Sequence, residues 1–153
     1  MNTCEVPKIK LLDVSLPEKS ISNILAILQT NNMSIVRIPD NPTGHSFNCW
    51  GFVAYYCAWE QAPVWLREEV MEVHLRERAV PIRKDEATTG DIAVFRDDWE
   101  NLRHTAIVMP DASIICHKPG ATALCIDTVK TAERGYGKAT FMRPKTKEDL
   151  TKV

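Results

Sequence analysis

The chain has 153 residues, with 19 basic and 20 acidic side chains and a net charge of -1. This balance, with no basic stripe, argues against a protein that binds nucleic acid or an anionic membrane. No apolar run reaches the ~20 residues of a membrane-spanning helix, and the first residues lack the pattern of a signal peptide. We therefore predict one domain over residues 1–153 with no membrane span, cytoplasmic as encoded.

Cysteine and histidine content limits the redox and metal chemistry. The number of cysteines is odd and no Cys-x-x-Cys pair occurs, which argues against a disulfide framework and a structural zinc site. The four histidines form no His-Glu-x-x-His motif, so a metal hydrolase is the weaker alternative. We predict reduced thiols, no cofactor and no metal. The cysteines are Cys4, Cys49, Cys57, Cys116 and Cys125.

The N-terminal part of the sequence predicts a helix and a short strand. Ser15, with Pro17 and Glu18 behind it, forms a capping box that opens the helix, and Asn31-Asn32 is a plausible end. Residues 34–38 alternate weakly between polar and apolar side chains, as a short strand does.

Two further helices are predicted before the middle of the chain. The first begins after Asn48 and runs to about Gln61, and the second runs from Pro63 to Arg78. His74 lies among the charged residues of the second helix, and we expect it at the surface. The predicted apolar face of that helix consists of Leu66, Val70 and Val73.

From Thr89 onward the sequence changes to short apolar runs separated by turns. Turn residues at Pro110-Asp111 and Lys118-Pro119-Gly120 predict tight hairpins. Helices followed by an antiparallel meander indicate an α+β fold, with N-terminal helices packed on a sheet of about five strands. The core spans about 44–143, and the polar tail 145–153 is expected to fray. The predicted strands cover 91–95, 105–109, 113–117, 123–129 and 137–142.

Cys49 is the candidate nucleophile. Asn48 is a good N-cap residue, so Cys49 falls in the first turn of the predicted helix. Unpaired backbone N–H groups and the helix dipole favour a thiolate at this position. A lone cysteine in a helix is more often buried and inert. The assignment therefore depends on the partners of Cys49.

Two histidines supply the candidate partners. His104 opens one predicted strand and His117 ends the next, with a turn near the midpoint between them. An antiparallel hairpin places two such side chains on neighbouring strands at the same end of the sheet. Each histidine alone is typical of an ordinary strand end. With the helix of Cys49 packed across that end, however, the three would form a Cys-His-His triad, in which one ring is the base and the other orients it.

Four segments occur in order: Asn48-Cys49-Trp50-Gly51-Phe52, Gly90 to Phe95, His104 to Val108, and Ile115-Cys116-His117. They resemble the successive motifs of the NlpC-type papain-like cysteine peptidases and amidases, over roughly residues 44–143. The resemblance implies a papain-like fold with Cys49 as nucleophile, His104 as general base and His117 as the residue that orients the base.

The sequence departs from the family pattern at two places. Asn48 stands where the family usually has Asp, and no Tyr lies between Met33 and Cys49 to help bind the oxyanion. His45 or Ser46 are candidate substitutes for that Tyr. The backbone N–H of Cys49 is the better candidate for one oxyanion donor, because it requires no side chain.

The resemblance implies hydrolysis of an amide or peptide bond through a thioester intermediate, most simply in peptidoglycan stem peptides or muropeptides. The absence of an export signal leaves two routes to such a substrate. Either a dedicated secretion system exports the protein, as for antibacterial amidase toxins with an inhibitor or immunity partner, or the substrate is cytoplasmic, such as recycled muropeptides.

Other functions are compatible with the same motifs. A papain-like fold also serves acyl hydrolases, transferases and deamidases that act on proteins or lipids, and a non-catalytic binding domain can keep the same shape. The tryptophans are candidates for the cleft, although such residues more often lie in a core or at its rim. They are Trp50, Trp59, Trp65 and Trp99.

Overall fold

The computed structural model of the protein describes residues 46–109, 112–120 and 124–145. The predicted N-terminal helix and the strand at 34–38 lie outside these ranges, as do the turn at Pro110-Asp111 and nearly all of the polar tail. In the part of the chain that the structure describes, no helix combines the length and the apolar character needed to cross a bilayer.

Three α-helices, a short 3-10 helix and six strands make up the described ranges. The helices are α1 (Cys49–Tyr56), α2 (Glu68–Arg78) and α3 (Val129–Tyr136), and the 3-10 helix is Lys84–Glu86. The strands are β1 (Ala79–Ile82), β2 (Ile92–Arg96), β3 (Leu102–Val108), β4 (Ile114–His117), β5 (Cys125–Thr128) and β6 (Lys138–Pro144).

The strands form one antiparallel sheet in the order β1-β6-β2-β3-β4-β5. With α1 and α2 ahead of it, this is the predicted papain-like α+β fold. The sheet has six described strands rather than about five, because β1 was not predicted. Pro81 interrupts the sequence pattern of β1, but β1 is an edge strand, where a residue without an N–H is tolerated.

Helix α3 was also missed, because the predicted strand at 123–129 extended into its first residue. The Thr128 side chain caps this helix by accepting a hydrogen bond of 3.1 Å from the backbone N–H of Thr131. Gly137 ends it with a φ of 108°, a conformation that a residue with a Cβ rarely adopts. The helix between the Thr128 cap and Gly137 is therefore only eight residues long.

Each face of the sheet covers its own hydrophobic cluster. Successive strand residues point to opposite faces, so Val94 packs with α1 residues such as Phe52, whereas Phe95 packs with the α3 residues Val129 and Ala132.

The first two helices are shorter than predicted. Helix α1 ends at Tyr56 rather than near Gln61, because the chain turns at Ala58, whose φ is 61°. Helix α2 begins at Glu68 rather than at Pro63. The residues between the two helices fold back over the start of α1.

The predicted faces of α2 are wrong in part. Val70 and Val73 are 40% and 39% exposed, whereas Met71 and Leu75 face the core. The surface position expected for His74 is also wrong. Its ring is buried, lies 2.9 Å from a Glu60 carboxylate oxygen and stacks on the ring of Trp59. The late start of α2 explains both errors, since Leu66 lies outside the helix and does not set its apolar face.

Candidate active site

Asn48 and Cys49 stand at the start of α1, as predicted. The Asn48 side-chain oxygen accepts hydrogen bonds from the backbone N–H groups of Gly51 (2.9 Å) and Leu66 (3.2 Å). Its amide nitrogen donates to the Leu66 carbonyl at 2.8 Å. An ionised Asp could not make this third bond, because a carboxylate only accepts. Asn48 therefore caps the helix and also holds the segment at Leu66 against it.

Gly51 makes that close approach feasible. A Cβ built on Gly51 would overlap the carbonyl group of Val64 and would lie 3.2 Å from the Asn48 oxygen. The glycine of the Cys-Trp-Gly motif is thus required by the backbone that crosses above it.

Cys49 is partly exposed, and two opposing effects act on its thiol. Burial raises the pKa of Cys49 to about 11, whereas the backbone N–H groups of Thr105 and Trp50 lower it. The helix start therefore acts in the expected direction, but burial has the larger effect and the resting group is a thiol. Thr105 also donates its hydroxyl to the Cys49 carbonyl at 3.2 Å, which joins β3 to the start of α1.

His104 and His117 are in direct contact. Nε2 of His104 lies 2.8 Å from Nδ1 of His117, and each residue is 1% exposed. The register pairs Ile107 with Cys116, and its continuation by one residue puts Ala106 opposite His117. His104 is thus the diagonal cross-strand neighbour of His117, at hydrogen-bonding distance.

A β-bulge precedes His104 on β3. Phe95 pairs with His104, but the next residue of β2, Arg96, pairs with Leu102, so Arg103 is the extra residue. Leu102 is buried and Arg103 is exposed. Bulges commonly redirect side chains beside functional sites, and this one turns Arg103 toward a cleft.

Cys49 and His104 line the same open cleft of about 490 Å³. Trp50 and Trp65 also line it, so two of the four tryptophans that were candidates for the cleft do lie there. Of the other two, Trp59 stacks on His74, and Trp99 is 80% exposed. Polar side chains on the cleft wall are Asn48, Arg67, Glu68 and Arg103.

The sequence matches the NlpC/P60 family over residues 39–143, more than half of the chain. The chain belongs to this family. Comparison with curated proteins gives no match. Family membership supports a papain-like cysteine hydrolase, the general class of the cell-wall peptidases and amidases of NlpC/P60 proteins.

The Gly-Asp segment of this NlpC/P60 chain has a structural role. Asp91 is 3% exposed and accepts two hydrogen bonds from the Arg143 guanidinium, at 3.0 and 2.9 Å, and one from the Thr88 N–H at 2.9 Å. Its backbone carbonyl accepts from Val108 at 2.8 Å. Asp91 thus joins the start of β2 to β3 and β6, away from the reacting groups.

Sequence reasoning also missed two residues that contact the candidate histidines. Tyr136 lies flat on the His104 ring, and Asp127 has a carboxylate oxygen 3.6 Å from Nε2 of His117. Asp127 was placed within a predicted strand but given no role, and Tyr136 lies in the helix that was not predicted. No local motif marks either residue, because both reach the histidines only through tertiary packing.

Burial also determines the charge of His104. It lowers the pKa of His104 to about 2, with a further contribution from neighbouring His117. At neutral pH the Cys49 thiol and the His104 imidazole on the wall of this cleft are thus both neutral. Among the described residues, no three side chains of the metal-ligating types come together as a metal site.

A second concavity of about 430 Å³ lies between α2 and the sheet. Its main polar groups are already paired, because Arg96 makes two hydrogen bonds of 2.8 Å with Glu72. Its lining includes no cysteine and no histidine.

Proposed function

We propose that the protein is a cysteine peptidase or amidase in which Cys49 is the nucleophile, His104 the general base and His117 the residue that orients it. The observation that carries this proposal is the 2.8 Å contact between the two rings, at the wall of the cleft that exposes Cys49. A nucleophile, a base and a group that holds the base are the parts that acyl transfer requires.

The ring geometry suggests which nitrogen acts as the base. Nε2 of His104 faces His117, so Nδ1 is the nitrogen left to take the Cys49 proton. Burial disfavours either charge alone, but a thiolate and an imidazolium formed together attract each other and leave the net charge unchanged. Proton transfer from Cys49 to His104 therefore produces the thiolate nucleophile without any proton being gained from or lost to solvent.

The reaction then follows acyl-transfer chemistry. The Cys49 sulfur attacks the carbonyl carbon, and backbone N–H groups at the helix start, including that of Cys49, stabilise the oxyanion. The C–N bond breaks as His104 returns its proton to the leaving amine, which gives a thioester. Water activated by His104 then hydrolyses the thioester and releases the acid.

For the substrate, we propose a stem peptide of peptidoglycan or a muropeptide. The family match supports a cell-wall peptide, and the cleft volume of about 490 Å³ lies in the range of sites for small ligands. The cleft wall combines aromatic surface from Trp50 and Trp65 with charges of both signs at Arg103 and Glu68. A short peptide that carries both amino and carboxylate groups suits such a wall.

Incubation of the purified protein with muropeptides, followed by mass analysis of the products, tests the proposal. We expect the gain of one water and the release of two fragments, with none from Cys49→Ala, which removes only the sulfur. A protein substrate and a lipid ester assayed in parallel distinguish the alternative acyl hydrolase, transferase and deamidase. If no acyl substrate reacts and Cys49 is alkylated no faster than the other thiols, the domain is a binding module.

A further inference from the structure

The contact between His117 and Asp127 extends the pair of histidines by one residue. His117 on β4 pairs with Cys125 on β5, so Asp127, two residues along β5, lies on the same face as His117. Its Oδ2 atom is 3.6 Å from Nε2 of His117. The His117 side chain is 2% exposed, whereas the Asp127 side chain is 32% exposed and reaches solvent.

This contact is important because Nε2 of His117 is buried and makes no hydrogen bond within the described residues. Leaving a buried polar nitrogen without a partner is unfavourable. The Asp127 carboxylate faces it at a distance slightly too long for a hydrogen bond, and such contacts in ligand-free sites often shorten when substrate binds. A carboxylate only accepts hydrogen bonds, so it favours a proton on Nε2.

We propose that Asp127 is a positioning residue that holds the proton of neutral His117 on Nε2 and thereby keeps Nδ1 of His104 free to accept the proton of Cys49. The inference rests on the proposed function, because it takes His104 as the general base. It adds Asp127 as a fourth residue to the proposed arrangement of Cys49, His104 and His117. It also assigns the proton of each neutral histidine ring to one nitrogen.

The position of each ring proton follows from the contacts between Asp127, His117 and His104. With its proton on Nε2, His117 has a lone pair on Nδ1 that accepts from Nε2–H of His104. His104 then has its own lone pair on Nδ1. If His117 carried the proton on Nδ1 instead, it would donate to His104, whose proton would move to Nδ1. The base would then present an N–H group to the thiol and could not accept a proton.

The neighbouring titratable groups do not compete for this role. Cys125, directly opposite His117, has its pKa raised to about 12 by burial, and Tyr136, which covers His104, has its pKa raised by burial as well. Both are neutral at neutral pH. The contact with His117 lowers the pKa of Asp127, so this carboxylate stays ionised. Asp127 is therefore a charged group in contact with the pair of rings, through the 3.6 Å approach of its Oδ2 atom to Nε2 of His117.

Asp127→Asn is a sharp test because the two carboxylate oxygens have different partners. Oδ1 accepts from the Thr128 N–H at 2.8 Å, and Oδ2 faces His117. Asparagine keeps the oxygen for Thr128 and turns its NH2 group toward Nε2 of His117. That group donates, so the variant should move the His117 proton to Nδ1. Asp98→Asn, at the exposed turn between β2 and β3, is the matched control for loss of one negative charge.

Nitrogen NMR of protein with isotopically labelled histidine rings, at about pH 8 where imidazoles are ordinarily neutral, reads the tautomers directly. We expect the Nε2–H form of His117 in the parent protein and in Asp98→Asn, and the Nδ1–H form in Asp127→Asn. We also expect the alkylation rate of Cys49 at about pH 7 to fall at least about tenfold in Asp127→Asn, since a general base contributes ~100-fold or more.

An Nδ1–H form of His117 in the parent protein overturns the inference whatever the variants do. So does a folded Asp127→Asn protein in which the tautomer or the Cys49 alkylation rate is unchanged. If both readouts respond as expected but no acyl substrate is cleaved, the arrangement of protons stands and the proposed hydrolase function fails.

Discussion

The Tyr136 ring lies against the His104 imidazole, with 3.9 Å between the ring centroids and 8° between the ring planes. Phe95 contacts the same imidazole at 5.5 Å and 51°. At the edge of the His104 ring, Nε2 lies within hydrogen-bonding distance of Nδ1 of His117. The candidate base is therefore fixed by two aromatic rings and one hydrogen bond.

We predict that the stacked ring of Tyr136 supports His104 during proton transfer. An aromatic face stabilises the imidazolium that forms when His104 takes the Cys49 proton, by about 0.5–1 kcal/mol or more. Tyr136→Phe keeps the face and should leave Cys49 alkylation at neutral pH within about twofold, whereas Tyr136→Leu should lower it about three- to tenfold. Equal rates in the Phe and Leu variants would show that the ring only fills space.

The pH profile of Cys49 alkylation should have two parts. Proton exchange within the neutral Cys49 and His104 pair needs no net proton uptake, so we expect a flat rate between about pH 5 and 8. Above that range free thiolate adds a rising part, because the pKa of Cys49 is raised to about 11.

The pKa of His104, lowered to about 2, removes any inflection near its ordinary value of 6.5. In His104→Ala the flat part should fall at least about tenfold while the rising part remains. Iodoacetamide labelling followed by peptide mass analysis gives both rates. A sigmoidal rise centred near 6.5 would contradict this assignment, since it would mean that His104 titrates as an exposed imidazole.

Gly51→Ala should destabilise the protein by about 1–3 kcal/mol, because the added methyl group overlaps the Val64 carbonyl and disturbs the cap at Asn48. Gly135→Ala in α3 is the matched control. Its Cβ would meet no atom within 4 Å, and alanine is the better helix former, so we expect no loss and a gain of up to about 1 kcal/mol. Denaturant unfolding measures both, and a Gly51→Ala protein as stable as the parent would contradict the close approach of the two segments.

The ion pair of Glu72 and Arg96 should make stability depend on pH. The hydrogen bonds from Arg96 lower the pKa of Glu72 below its ordinary value of 4.5, so the pair stabilises the fold fully above that value and less as pH falls through the lowered pKa. Glu72→Gln should cost about 1 kcal/mol at pH 7 and progressively less below about pH 4. Glu69→Gln, which removes half of an exposed pair with Arg67, should show little change at either pH. A Glu72→Gln deficit that persists unchanged in acid would count against the ionic origin.

Part of the fold could be predicted because its signals are local. The cap at Asn48, the apolar runs of β2 to β4 and the turn signals between them reflect neighbours along the chain, and they correctly indicated helices followed by an antiparallel sheet. Helix ends and faces were predicted less well. Whether Leu66 belongs to α2 depends on its hydrogen bonds with Asn48, 18 residues away, which no periodicity shows.

By itself, the sequence determined that Cys49 starts a helix and that His104 and His117 lie at one end of neighbouring strands, because caps, alternation and hairpin spacing act over short distances. Only the tertiary structure decided the charge state of these groups and the neighbours that hold them. Burial keeps the thiol and the imidazole neutral, and Tyr136 and Asp127 reach the histidines from α3 and β5. Desolvation and contacts across a sheet depend on how distant segments pack, and that information is not present in any short stretch of the chain.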